Sequence, residues 1–339
     1  MPMLKIASKE TFSYKGWYSR QRSPPVHCTN SCSSFSSFAP YRANYPLDCT
    51  ARLSFSGIEI AIHFKSKPIE KEMTPVQCIP TISIASHRVT RLIIGGNPYS
   101  GISHHSPAKS KEMEDYYTTR QIIADLRQAE ACGINTLLAR ADRHIMRTFN
   151  EYRNAGGTLQ WIAQTPKDTE YAELGAYLEI IARYKPIAIY HHGGTTDKLY
   201  AQGRLPSLRE HLKRIRGLGC AVGIGTHDAS ILKHCYAEGY DVDFYVCALY
   251  NHTRHRELYL PKDREQALAA IQAIPVPVIA IKVLAAGRNK PREAFQFALE
   301  NLKRTDAMAV GMCTQFQPDQ IRQNARVVAE LLKTVFPFR

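Results

Sequence analysis

The stretch AIYHHGGTTD, residues 188–197, ends an apolar run with two adjacent histidines and then two glycines. Imidazole changes charge near neutral pH, so His191 and His192 are candidates for acid–base work, oxyanion contact or metal ligation. If the run is a strand, successive side chains alternate between its faces and only one of the pair enters a site. His191 is expected in the inward position, as donor or acid to a substrate oxygen, which leaves His192 to pack outward or cap a loop. Lys282 in VIAIKVLAAGR is a second candidate. A lysine turned into packed apolar layers would bury a charge, so Lys282 is expected at a solvent-reachable mouth, as an anion contact or a Schiff-base amine. Asp142 and His144 in LLARADRH, and His227 with Asp228 in GIGTHDA, pair carboxylate with imidazole closely enough for a proton relay or a divalent metal. Asp228 also suits a helix N-cap. No H-x-H or H-E-x-x-H spacing occurs, so a specific zinc signature is absent.

The elements that must position these residues alternate from about residue 80 onward. Eight β-branched runs (RLIIGG, INTLLA, LQWIAQ, IAIYHH, CAVGIG, VDFYVCAL, PVIAIKVL and AMAVGM) are separated by amphipathic segments such as TTRQIIADLRQAEACG. Gly133, Gly219 and Gly239 fall just past helix ends, where a left-handed residue is wanted. Eight strand–helix units without a G-x-G-x-x-G turn predict a closed (β/α)8 TIM barrel rather than an open sheet. The preceding TISIASHRVT reads as a hairpin plugging the barrel floor. In such barrels the site lies at the carboxyl ends of the strands. Eight of the ten histidines beyond residue 90 follow a strand candidate: His104, His105, His144, His191, His192, His227, His252 and His255.

The 339 residues carry a formal charge of +14, with basic residues spread over the chain rather than gathered in a stripe. That predicts an anionic small molecule as partner and no nucleic acid. No run of 18 apolar residues exists, so no membrane span is expected, and nine scattered cysteines, with Cys28 and Cys32 closest, read as reduced thiols of a cytoplasmic protein. Residues 1–72 are rich in Ser and Pro and predict a disordered extension, although LSFSGIEIAIHF suggests a strand within it. Residues 73–339 make the barrel, and Met73 begins the cleaner pattern.

With the strands placed, the chain resembles the aldo/keto reductase superfamily from about residue 79 to 335. RLIIGGNPYSG, ACGINTL, AIYHH, FYVCALYN and AVGM with QPDQIRQN resemble that family's first, second, fourth, sixth and eighth strands and its cofactor-gripping helix start. The resemblance implies an NADP(H)-linked oxidoreductase of a small carbonyl or sugar-like substrate. It implies His191 as the family's catalytic histidine, and Gly311, Gln320 and Asn324 as cofactor contacts. Gly287 and Arg288, in the turn after the seventh strand, are the candidate phosphate contacts. The rest of the family's catalytic tetrad is replaced: its Asp position falls on Leu138, its Tyr on Arg143 and its Lys on Thr165, while Cys247 stands where a glutamine underlies the nicotinamide. His191, Asp142, His144, His227 and Lys282 are therefore the expected catalytic set. A metal- or Schiff-base-dependent lyase, isomerase or hydrolase is the alternative activity, with a divalent metal as the alternative cofactor. A non-catalytic ligand-binding barrel is the third reading.

Overall fold

The computed structural model describes residues 48–55, 58–65, 78–167, 173–250 and 258–336. Cys28, Cys32, His252 and His255 lie outside them. The chain divides into two units between Glu72 and Met73. In the first, β1 (Asp48–Phe55) pairs antiparallel with β2 (Ile58–Lys65), Phe55 opposite Ile58. LSFSGIEIAIHF thus holds parts of two strands that pair with each other rather than one strand.

The second unit opens with a short hairpin, β3 (Thr81–Ile84) and β4 (His87–Thr90). Eight parallel strands follow and close on themselves in chain order. They are β5 (Leu92–Gly95), β6 (Thr136–Arg140), β7 (Gln160–Gln164), β8 (Ala188–His191), β9 (Ala221–Thr226), β10 (Phe244–Ala248), β11 (Val278–Ile281) and β12 (Ala307–Gly311), with β12 hydrogen-bonded to β5. All eight predicted strands are present in the predicted order. Among the helices outside them are α1 (Pro107–Tyr116), α2 (Thr119–Ala131), α3 (Arg143–Asn154), α4 (Leu174–Arg183), α5 (Gly193–Ala201), α6 (Leu208–Gly217), α7 (Ala229–Ala237), α8 (Pro261–Gln272), α9 (Pro291–Asn301) and α10 (Gln320–Val335). Gly133, Gly219 and Gly239 adopt φ of 82°, 76° and 61°, the left-handed backbone that lets α2, α6 and α7 stop and the next strand begin.

Two apolar layers follow from strand alternation. One lies between strands and helices. The other fills the barrel: Ile93, Leu138, Ile162, Tyr190, Phe244 and Val246 face inward and meet Ile82, Ile84 and Val89 of the β3–β4 hairpin. The hairpin is the predicted plug. Gly223 belongs to this filling, since a Cβ there would come within 2.5 Å of the Phe244 ring. Among the described residues, no helix is long and apolar enough to cross a membrane.

The plug makes a direct prediction. Ile84 is fully buried, and Ile84→Ala should cost about 2–5 kcal/mol in chemical denaturation, as core truncations do. A loss of only a few tenths would mean that the hairpin does not seal the floor.

Candidate active site

The carboxyl ends of the strands open into a cavity of about 620 Å³. Its wall takes Gly95, Gly96 and Asn97 from the β5 exit, Leu138 and Arg140 from β6, Gln164 and Lys167 from β7, and Tyr190 and His192 from β8. His227 follows β9, Ile281 and Lys282 close β11, and Gly311 ends β12. His104, His105 and Lys109 reach in from the segment before and within α1, Phe316 from the segment before α10, and Gln320 from the first position of α10.

The paired histidines divide oppositely to the sequence expectation. Ala188 and Tyr190 lie in the barrel filling and Ile189 in the outer layer, so alternation sends His191 outward and His192 into the mouth. His191 is fully buried, its Nδ1 lies 2.8 Å from Thr196 Oγ1, and its ring stacks on His211 at 6.3 Å. Burial, reinforced by the neighbouring imidazoles of His211 and His192, pushes its pKa from 6.5 down to about 3. It is a neutral packing residue, and the inward place is held by His192. The backbone N–H of His192 donates to Thr165 Oγ1 at 2.9 Å, and its Nδ1 accepts from Gly194 N–H at 3.0 Å, capping α5. A neutral ring that accepts at Nδ1 carries its proton on Nε2, so His192 is a donor.

His227 is the complementary case. Its Nδ1 lies 2.8 Å from Asp197 Oδ2 and its backbone N–H also donates to that carboxylate, while Thr226 donates from Oγ1 to Asp197 Oδ1 at 2.5 Å. A carboxylate accepts only, so the His227 proton sits on Nδ1 and Nε2 has base character. The His192 and His227 rings are 6.5 Å apart. The mouth therefore holds one imidazole fixed as donor and one fixed as base. Asp197 is 5% exposed and was not singled out from sequence. Its signal lay one turn into the helix that follows the histidine pair.

Lys282 does line the mouth, by a different route from strand alternation. Ile279 and Ile281 face inward, which would turn residue 282 outward. The strand ends at Ile281, and Lys282 takes φ 62°, with Ala285, Ala286 and Gly287 also left-handed at 48°, 55° and 83°. A run of non-glycine residues in this region stores strain and re-aims the chain toward the cavity.

The other sequence candidates separate. Gly287, Gly311 and Gln320 line the cavity. Arg288 does not: its Nη1 donates to the carbonyls of His104 and Ala285, and its guanidinium lies 4.7 Å from the Tyr259 ring centre. Asn324 is buried in α10 one turn beyond Gln320 and does not reach the cavity. Asp142 is the N-cap of α3, taking Ile145 N–H at 2.8 Å and Ser100 Oγ–H at 3.0 Å, so its carboxylate is occupied by the helix start. His144 is exposed on α3, away from the wall. Asp228 caps α7 through Ser230 N–H. Cys247 is buried on the helix side of β10, where burial pushes its thiol pKa up. Among the described residues, no three His, Cys, Asp or Glu side chains group as a metal ion needs.

No family model matches the chain, and no curated protein matches it. Solved structures do. A candidate aldo-keto reductase of Pseudomonas aeruginosa aligns with TM-score 0.53 at 14% identity, over 77% of this chain and 99% of that one. A crystal structure of a candidate aldo-keto reductase from the same organism gives 0.51 at 17%, over 75% and 95%. At these identities the likeness shows the barrel fold alone. A mandelate oxidase aligns at 0.47 and 13% identity, over 76% and 77%, too loosely to support more.

The burial of His191 sets a pH dependence. Between pH 6.5 and about 3 the unfolded chain binds a proton at this residue that the folded protein refuses. The unfolded state holds more protons there, so stability falls as pH drops through that window, by up to a few kcal/mol. His191→Asn, which keeps a partner for Thr196, should flatten the acid limb in denaturation at several pH values. Identical limbs in both proteins would contradict the burial.

Proposed function

We propose that the barrel is an oxidoreductase that takes NADP(H) and a small carbonyl compound into this mouth. The observation that carries the reading is the charge of the wall. Lys109, Arg140, Lys167 and Lys282 reach the cavity together with four imidazoles, and among the described residues no carboxylate does. The three lysines of that set fit a phosphorylated dinucleotide. Lys282, Gly287, Gly311 and Gln320, at the exits of β11 and β12, would hold the cofactor, which supplies hydride to a carbonyl carbon when bound. The similarity of the fold to candidate aldo-keto reductases supports the same reading.

The chain's own residues supply the protons. His192 donates from Nε2 to the carbonyl oxygen and takes the place of the tyrosine that Arg143 replaces. Tyr190 also lines the mouth; its phenol is buried, its pKa is raised by that burial, and it accepts from Gln164 Nε2–H at 2.8 Å. Asp197 holds His227 with Nε2 as the acceptor, so His227 takes a proton from solvent and returns it to His192, and the reduction balances as carbonyl plus hydride plus proton. That same couple favours a second reading, a lyase or isomerase removing a proton beside a carbonyl. Borohydride trapping of Lys282 with a carbonyl compound would mark its Schiff-base form.

Titration with NADPH, followed by cofactor fluorescence, tests the reading. Saturable micromolar binding is expected, weakened about tenfold in Lys282→Met, the loss of one charge-assisted contact. His192→Ala should keep NADPH binding and lower turnover of the accepted carbonyl by about 10²–10⁴-fold, the range of general acid catalysis. Folded protein that binds no NADPH sinks the oxidoreductase reading and leaves the proton-transfer one.

A further inference from the structure

Arg140 closes β6 on its inward face, two residues beyond Leu138 of the barrel filling. It lines the cavity, and its Nε is buried without a hydrogen-bond partner. Among the described residues no ion pair neutralises it. Across the sheet it sits in register with Gln164, whose amide is engaged with the Tyr190 hydroxyl. On the other side β5 leads into Gly95 and Gly96, which bring no side chain; a Cβ on Gly96 would run into Ala139 at 2.4 Å. The nearest carboxylate in sequence, Asp142, is taken by Ile145 N–H and Ser100 Oγ–H. A guanidinium held inside a pocket without a counter-charge is costly unless a ligand supplies one, and its planar fork matches an oxyanion.

We infer that Arg140 is the anchor for a carboxylate or phosphate group of the substrate, which makes the substrate an anionic carbonyl compound. This deepens the proposed function and rests on it, since the anion is placed in the mouth that His192 and His227 share. The glycines at the β5 exit leave the anchor unshielded, and Arg140 specifies the substrate rather than the cofactor. The chemistry of the two oxyanions differs in one useful way. A carboxylate accepts two parallel N–H bonds from an arginine fork, whereas a lysine offers only a point charge.

Calorimetric titrations with oxalate and with inorganic phosphate, with and without saturating NADPH, test the inference on the wild type, Arg140→Gln and Arg140→Lys. The wild type should bind at least one probe with a millimolar or tighter Kd, and the preferred probe identifies the oxyanion. Arg140→Gln should weaken that binding at least tenfold while NADPH binding is unchanged. If Arg140→Gln does not fold, Arg140→Lys carries the test: a fall in affinity larger for oxalate than for phosphate supports the anchor, and unchanged affinity for both overturns it. Equal binding by wild type and Arg140→Gln, or no binding of either probe by the wild type, also overturns it. NADPH binding retained in those cases confines the failure to Arg140, whereas its loss in the wild type falls on the proposed function instead.

Discussion

The Asp197 carboxylate, buried between α5 and the end of β9, is the contact on which the geometry of the mouth depends. It accepts from the Thr226 hydroxyl and from both the backbone and the ring of His227, so one acidic side chain fixes a strand exit, a loop and a tautomer. The carboxylate reaches that position because α5 begins hard against β9. A Cβ on Gly193 would stand 3.0 Å from His227 Cε1 and 3.2 Å from Thr226 N. The succession His-His-Gly-Gly-Thr-Thr-Asp is therefore one device. The second histidine enters the mouth, the glycines permit the approach, Thr196 engages the first histidine, and the aspartate one turn later orients an imidazole from the neighbouring strand.

The barrel was legible because its signals are local and repeated. Eight β-branched runs and three left-handed glycines need no knowledge of tertiary contacts to read, and the plug follows from a hairpin pattern placed before the first strand. The inward face of β8 was not legible. Parallel barrel strands are buried on both sides, so IAIY has no polar–apolar alternation to mark which parity faces the axis, and the inward place expected of His191 falls to His192. The cost of a buried charge puts Lys282 at the mouth, but the left-handed turn that carries it there leaves no mark in a sequence with alanine at two of its positions.

Asp197, Arg140 and Asn324 show the same limit from three sides. Asp197 looks like an ordinary helix residue until the neighbouring strand is laid beside it. Arg140 lies in LLARADRH next to an aspartate, and sequence proximity suggests a pair; the helix start at α3 claims that aspartate first. Asn324 falls at the right distance along its helix, yet the helix rotates it into packing while Gln320 meets the cavity. Short-range spacing gives the element a residue sits on. It does not say which neighbour competes for the side chain.

The hairpin under the barrel has a kinetic meaning. With Ile82, Ile84 and Val89 stoppering one end, the chamber is closed on that side, and among the described residues traffic in both directions uses the mouth at the other. Two molecules that lie one above the other in such a chamber cannot exchange places: the deeper must arrive first and depart last. A compulsory order of entry and exit, with the outgoing upper molecule obstructing its own replacement, is then a property of the architecture before any side chain at the rim is considered.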